Sequence, residues 1–468
     1  MWKRVLRSSI ACVILLAAPG ISEAAQAKRK PTAAKAAAAE GHIVRAMALS
    51  QAGQPAQALA EAQAAVRANP RSAKALTTRG FILAEAGDKD GALTDFAAAK
   101  VLDPRDVRNY AAAALIYADR KDFPQALAAI NALLEIEPAN PLAQIMHVSL
   151  LQSSGDKAQA VQRAQAYAAM HPDSVPTAQV LAEAYTHNDQ HDKAIEVVRA
   201  TVAKSPDNAE LQDDLAQRLL ECKDKTVPCP AQRAEAVEVF GKAIALTPTA
   251  DLYIDRAQAR PLSDRDGKFA DLNAALVLEP ASQFAILARG ATYFNYKELE
   301  KALVDVDAAL AIDPTDVEAL ALRARIYDGQ GKVDAQLQDL DALTALLPDN
   351  VQHLNNACWL RATHKRELDR ALAQCNAALK IDASNRVTLD SRALVHLQMG
   401  NWDEALADYN AAMPQQSYAV ALYGRGIAKL RKGMKKEGKA DLTSAKKLDK
   451  GIAKTFAGYG ITRKPKKK

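Results

Sequence analysis

The residues that could carry out chemistry are sparse in this chain and stand at no catalytic spacing. Of its eight histidines, only His187 and His191 are four residues apart, and they lie in YTHNDQHDKA, which we interpret as a solvated turn. The sequence contains no GxxxxGK[ST] phosphate loop, no GxSxG elbow and no HExxH motif. We therefore expect no enzyme, no cofactor and no metal site.

Cysteine is the remaining reactive residue type. Cys12 lies inside an apolar run near the start of the chain, which leaves four cysteines further along, at positions 222, 229, 358 and 375. An even number of cysteines favours disulfides if the chain is exported, whereas buried free thiols are the alternative. A zinc site is disfavoured because the chain has neither a CxxC pair nor a histidine at ligand spacing.

The start of the chain, residues 1–24, is typical of a secretory signal peptide. Lys3, Arg4 and Arg7 precede an apolar run from about Ile10 to Ala18, and small residues follow. The alternative is an uncleaved anchor, but the run is much shorter than the roughly 20 residues of a spanning helix. We expect a Sec-type export signal and a periplasmic or otherwise exported chain.

The net charge and its distribution along the chain do not indicate a charged ligand. The whole chain carries a net charge of +6, with acidic and basic residues interleaved, so we expect no nucleic-acid partner. The exceptions are a low-complexity linker at 25–38 and the tail RKPKKK at 463–468. The tail is expected to be solvated, or to make weak contact with anionic components of the cell envelope.

The elements that must position any site repeat along the chain. Pro70, Pro104, Pro138, Pro172 and Pro206 follow one another at a constant interval, and the same interval separates Pro280, Pro314 and Pro348. In residues 73–104, counted from Ala73, small residues stand at positions 8, 15, 20 and 27, an aromatic residue at 24 and proline at 32. Small residues allow two helices to approach closely, glycine permits the turn between them, and proline ends the second helix.

This pattern resembles the tetratricopeptide repeat over residues 39 to 450, and the type of chain resembles an exported bacterial member of that family. The resemblance implies an all-α, right-handed superhelical solenoid of about twelve helix-turn-helix repeats. The expected domains are a signal peptide (1–24), a linker (25–38), an N-terminal array (39–248), a C-terminal array (249–450) and a cap helix with a basic tail (451–468).

A charge pair recurs at positions 7 and 23 of the repeats. In seven repeats an arginine at position 7 is matched by an acid near position 23: Arg45 with Glu61, Arg79 with Asp95, Arg256 with Asp271, Arg289 with Asp305, Arg323 with Asp339, Arg392 with Asp408, and Arg425 with Asp441. The five other repeats lack both residues. This pairing predicts a forked ion pair within or between repeats, and an arginine ladder that binds an anion is the alternative.

The repeat register also suggests disulfide partners. Cys222 and Cys229 flank an insertion between the two helices of one repeat, and Cys358 and Cys375 fall at facing positions of another. We expect both pairs to form if the chain is exported.

Because no chemistry is apparent, function is expected to depend on a binding surface. In the tetratricopeptide family, positions 2, 5, 9, 12 and 13 usually line a concave groove. Transferred by position, the expected groove residues are Phe284, Leu287, Phe294, Asn295, Asn355, Trp359, Leu394, Leu397, Tyr423 and Ile427.

The sequence thus favours a non-catalytic scaffold or adaptor of the bacterial envelope that binds a peptide or helix of a protein partner. The alternative is an accessory factor or activator for an enzyme that acts on an envelope polymer. The sequence does not identify the partner.

Overall fold

The computed structural model describes residues 33–221, 230–413 and 418–462. Within these ranges the chain forms 25 α-helices and no strand. The first 24 helices are paired in twelve consecutive helix-turn-helix hairpins, and a short helix follows them. The expected all-α architecture of about twelve helical hairpins is therefore confirmed.

The N-terminal unit ends at Leu246 and contains hairpins 1 to 6. Its helices are α1 Ala33–Gln51, α2 Pro55–Ala68, α3 Ala73–Glu85, α4 Lys89–Leu102, α5 Arg108–Asp119, α6 Phe123–Ile136, α7 Pro141–Ser153, α8 Lys157–Met170, α9 Val175–His187, α10 His191–Lys204, α11 Ala209–Leu220 and α12 Pro230–Leu246.

The C-terminal unit starts at Thr247 and contains hairpins 7 to 12 with the last helix. Its helices are α13 Ala250–Ala259, α14 Arg265–Leu278, α15 Gln283–Asn295, α16 Leu299–Ile312, α17 Val317–Gln330, α18 Val333–Leu346, α19 Val351–His364, α20 Leu368–Ile381, α21 Arg386–Met399, α22 Trp402–Ala412, α23 Ala419–Arg431, α24 Lys435–Leu448 and α25 Ile452–Gly458. Odd-numbered helices up to α23 are the first of each hairpin.

Local sequence sets the ends of these helices. Many first helices begin after a polar residue whose side chain accepts a hydrogen bond from a free backbone N–H, as Ser72 does at α3 and Asp316 at α17. Some end at a glycine in the left-handed region, such as Gly331 with φ 67° after α17. These signals recur with the repeat and therefore set the hairpin length.

The two helices of a hairpin approach closely where small residues face each other. A Cβ added at Gly80 of α3 would lie 2.6 Å from Cε1 of Phe96 in α4. Ala92 and Ala99 of α4 are fully buried, as is Phe96. The small residues at positions 8, 20 and 27 thus allow the two helices to pack closely, as the sequence predicts.

None of the helices in the described ranges combines the length and the apolar character that crossing a membrane requires.

Candidate interaction site in the C-terminal unit

All seven predicted arginine and carboxylate pairs form, which confirms the structural interpretation of the position 7 and 23 pattern. Arg79 Nε and NH2 donate to the two carboxylate oxygens of Asp95, each at 2.6 Å. Arg392 and Asp408 repeat this geometry with two bonds of 2.7 Å. The remaining pairs are Arg45 with Glu61, Arg256 with Asp271, Arg289 with Asp305, Arg323 with Asp339, and Arg425 with Asp441.

Four of these arginines also bond to the preceding hairpin, a feature that the pairwise comparison of positions missed. NH1 of Arg289 donates to Asn273 at 3.0 Å, and NH1 of Arg323 donates to Asp307 at 2.7 Å. The same bond joins Arg392 to Asn376 and Arg425 to Asn410. The acceptor stands at position 25 of the preceding repeat. The recurrence of Asn or Asp at that position could therefore have predicted a bond to the arginine of the next repeat.

In hairpin 10, a fully buried arginine takes the place of the position 7 arginine. Arg361 of α19 is 1% exposed, and its Nη2 atom donates to both carboxylate oxygens of Asp341, at 2.9 and 2.7 Å. Its Nε donates to Glu367 and its NH1 to Gln374. Asp341 stands one repeat after Asp307, but the next position 7 is occupied by Ala357, so Arg361 supplies the charge from a different place.

The structure joins Cys358 of α19 to Cys375 of α20 in a disulfide, with a Cα separation of 5.6 Å. Both residues are fully buried. The other expected pair, Cys222 with Cys229, lies outside the described residues.

The expected groove residues divide into two groups. Phe284 is 79% exposed and Asn295 is exposed, while Leu287, Phe294 and Trp359 are half-buried and retain accessible surface. These five residues lie on α15 and α19, at the start and middle of the C-terminal unit.

The second group is not available to a partner in this structure, which corrects the expectation for Asn355, Leu394, Leu397, Tyr423 and Ile427. All five are buried, with exposures between 1% and 5%. The last four belong to one apolar cluster with Phe456 and Ile461. The chain itself therefore covers this part of the expected groove.

The covering element is residues 449–462, which we call the C-terminal segment. The Phe456 ring packs on the Tyr423 ring with centroids 4.7 Å apart, and Tyr459 meets Trp359 edge to face at 5.9 Å. Gln398 of α21 donates a hydrogen bond of 2.6 Å to the Tyr459 carbonyl oxygen. The segment thus contacts the first helices of hairpins 10, 11 and 12.

A cavity of about 700 Å³ lies beside the C-terminal segment, between α17, α18 and α19. Its lining combines apolar side chains such as Leu340 and Leu360 with the rings of Trp359 and Tyr459. Arg325 and Asp328 contribute charges of opposite sign from α17, and the Arg325 guanidinium lies 4.5 Å from the centroid of Phe294.

His353 of α19 is one of the side chains that line the cavity. Its Nδ1 atom is buried and has no hydrogen-bond partner among the residues that the structure describes. Burial lowers the pKa of His353 below its usual value, so the neutral ring is favoured. Asn356 on the same helix adds an amide donor and acceptor to the apolar side chains of the lining, an arrangement suited to binding.

No group of three or more histidine, cysteine or acidic side chains in the described ranges is arranged to hold a metal ion.

Comparison with known proteins gives two family matches. Residues 43–107 and residues 151–219 each match a family model described as tetratricopeptide repeat. Both models describe a repeat rather than a catalytic family. No curated protein matches the chain in sequence.

Several solved structures have similar helical arrays. Yeast Tom70 is 18% identical with a TM-score of 0.36, and the alignment covers 83% of this chain and 94% of that one. YrrB, a TPR protein with an unusual peptide-binding site, is 16% identical with a TM-score of 0.35, over 41% and 98%. Residues 41 to the end of MamA from Desulfovibrio magneticus RS-1 are 19% identical with a TM-score of 0.32, over 35% and 93%.

These low TM-scores carry no functional information for this chain. The two family matches, both in the N-terminal unit, show that residues 43–107 and 151–219 are similar to the tetratricopeptide repeat.

Proposed function

We propose that this protein is a non-catalytic interaction scaffold of the bacterial cell envelope, which binds a peptide or helix of a protein partner at the cavity between α17 and α19. The observation that carries the proposal is the cavity itself. Its volume of about 700 Å³ is in the range of sites that hold a ligand side chain or small molecule.

The lining favours an apolar or aromatic anchor from the partner. Leu340, Leu360 and Trp359 form an apolar floor, and aromatic or aliphatic anchors in such pockets supply most of the binding energy at protein interfaces. Arg325 and Asp328 are exposed at the rim, where they would bond to polar groups beside the anchor.

The proposed location depends on the N-terminal sequence. A basic start, a short apolar run and small residues at Ser22 and Ala24 favour Sec-type export and cleavage after residue 24. N-terminal sequencing of the protein purified from its native cells tests this part separately, since an intact Met1 would contradict it.

Site-specific photo-crosslinking tests the binding function. A photoreactive side chain at Asn356, which lines the cavity, is expected to capture a discrete envelope protein in intact cells. The same probe at Lys380, exposed on α20, the second helix of hairpin 10, is the matched control and should not capture that protein. Trp359→Ala and Arg325→Glu should each weaken the Asn356 adduct.

Two results would reject the proposal. One is equal capture at Asn356 and Lys380, and the other is an adduct that persists in both variants. Capture of an envelope polymer instead of a protein would favour an accessory role for an enzyme that acts on that polymer.

A further inference from the structure

Helix α24, the second helix of hairpin 12, contains more lysines than any second helix that precedes it. It contains Lys435, Lys436, Lys439, Lys446 and Lys447 and no arginine. By contrast, α18 contains three aspartates and no basic residue, and α22 contains two aspartates, one glutamate and no basic residue. Among the preceding second helices, α8 has only basic residues among its charged side chains, but these are just Lys157 and Arg163.

The five lysines share one side of α24, which we call the lysine face. At about 100° per residue they fall within an arc of roughly 120°. The opposite side is buried through Gly438, Asp441, Leu442 and Ala445. All five lysines are exposed, so the helix presents ammonium groups along about 20 Å of its length.

The stability of the helix does not explain the three lysines at its start. Lys435 and Lys439 are four residues apart and repel each other across one turn. Lys435 and Lys436 also stand in the first turn, where the helix dipole disfavours positive charge, whereas Lys446 and Lys447 stand in the last turn, where it favours positive charge. At the start of the helix, therefore, the lysines cost folding free energy unless an anion binds.

Neighbouring acids do not neutralise the lysine face. Asp441 is already bonded to Arg425 and Lys429, and Asp403 is bonded to Lys432. Among the residues that the structure describes, none of the five lysines forms an ion pair, although Glu437 stands exposed between them.

We propose that the lysine face binds the anionic headgroups of a phospholipid bilayer. This surface is separate from the cavity of the proposed function. The lysine face lies on the second helix of hairpin 12, whereas the cavity lies between helices of hairpins 9 and 10. Lysine ammonium groups act as compact point charges that attract an anionic surface without fixing its geometry.

The composition of the lysine face favours a bilayer over a nucleic acid. It has no arginine fork and no interleaved aromatic side chain, which are the groups that bind phosphates specifically and stack on bases. Ammonium groups alone on an exposed helix suit attraction to an anionic headgroup surface.

Vesicle flotation tests the proposal with the chain that remains after removal of residues 1–24. The probe is a vesicle of phosphatidylcholine containing about a third phosphatidylglycerol. Replacing the five lysines of the lysine face with glutamine should reduce binding by about tenfold or more at physiological salt, since each lysine near such a surface contributes up to about fivefold.

The matched control removes the same charge elsewhere. Glutamine replaces five exposed lysines of other helices and turns, namely Lys35, Lys193, Lys242, Lys332 and Lys380. This variant should bind as the parent does, and neither variant should bind pure phosphatidylcholine vesicles. A third protein that lacks residues 463–468 separates the lysine face from the basic end of the sequence.

Several outcomes overturn the proposal: no binding of the parent chain, equal loss in both five-lysine variants, or complete loss on removal of 463–468 alone. Tight binding to a duplex DNA fragment without vesicle binding would also overturn it and would assign the face to a polyanion. The Asn356 crosslink should persist in the lysine-face variant, so failure here is distinguishable from failure of the scaffold function.

Discussion

Arg289 donates two parallel hydrogen bonds to Asp305, from Nε to Oδ2 and from NH2 to Oδ1, both 2.8 Å long. Asp305 is 4% exposed, so its carboxylate depends on this partner for compensation. The hydrogen bonds to Asp305 also raise the pKa of the Arg289 guanidinium, which keeps that group charged. The bond therefore links the two helices of hairpin 8 by charge as well as by packing.

Removing one member of this pair should destabilise the protein more than removing both. Arg289→Met leaves a buried carboxylate and is expected to cost about 2 to 4 kcal/mol, whereas the double variant Arg289→Met with Asp305→Leu should cost less. Thermal unfolding of the four proteins of the cycle measures the coupling. The exposed pair Lys204 and Asp173 is the control, with an expected coupling near zero. Additive effects at the buried pair would contradict its assigned role.

Among the arginines of the C-terminal unit, Arg361 is expected to contribute most to stability. Arg361→Ala leaves Asp341 without its main partner and opens a cavity between α18, α19 and α20, with an expected cost of about 3 to 5 kcal/mol. Arg366, whose side chain is 56% exposed, serves as the control, and Arg366→Ala should change stability by less than about 0.5 kcal/mol. Similar melting temperatures for the two variants would refute this prediction.

Reduction of the disulfide between Cys358 and Cys375 should lower the stability of the C-terminal unit. The two residues are 17 apart in sequence, and closing a loop of that size stabilises a fold by about 3 kcal/mol. Melting curves with and without dithiothreitol measure the difference. The variant with alanine at both positions should not respond to the reductant. Peptide mapping that recovers both cysteines as free thiols from native protein would exclude the bond.

Asp390 should make stability depend on pH. Burial raises the pKa of this α21 carboxyl to about 7, and a hydrogen bond from Tyr418 only partly opposes the shift. The unfolded carboxyl titrates near 4, so between the two values the folded state holds a proton that the unfolded state releases. Stability is then present at low pH and is lost as pH rises from about 4 to about 7.

Asp390→Asn removes this dependence because the amide stays neutral. The variant should melt at a higher temperature than the parent at pH 8 and at a similar temperature at pH 4. Asp349→Asn, at an exposed position, is the control and should follow the parent at both values. Parallel pH curves for the parent and Asp390→Asn would show that the buried carboxyl does not titrate in this window.

The sequence allowed the hairpins and their internal ion pairs to be predicted for one physical reason. Hairpins and ion pairs both depend on contacts between residues of the same repeat. A residue pattern that recurs with the repeat therefore predicts these contacts directly. Asp95 and Asp305 were assigned partners in this way, and both bond as expected.

The groove could not be predicted in the same way because what covers it comes from outside the repeats. Tyr423 and Ile427 occupy groove positions in hairpin 12, but Phe456 and Ile461 cover them. A cap helix was expected at 451–468, but a segment that occurs once has no periodic pattern that would indicate which residues it covers. Arg361 was missed for a related reason, since it stands outside the shared register and satisfies Asp341 from another turn of its helix.

The third bond of the repeated arginines asks little of the preceding hairpin. Arg323 brings its own carboxylate, Asp339, and requires from the preceding hairpin only one oxygen acceptor, which Asp307 provides. Asn273, one repeat earlier, offers an equivalent acceptor to Arg289. Excision of one whole repeat, 283–316, would place Asn273 before Arg323 and preserve this bond, but it would also remove Glu298, the partner of Arg265. The repeated arginine pairs therefore allow gene duplication and deletion to exchange whole repeats, whereas an exposed pair between hairpins, such as Arg265 with Glu298, is lost in the exchange.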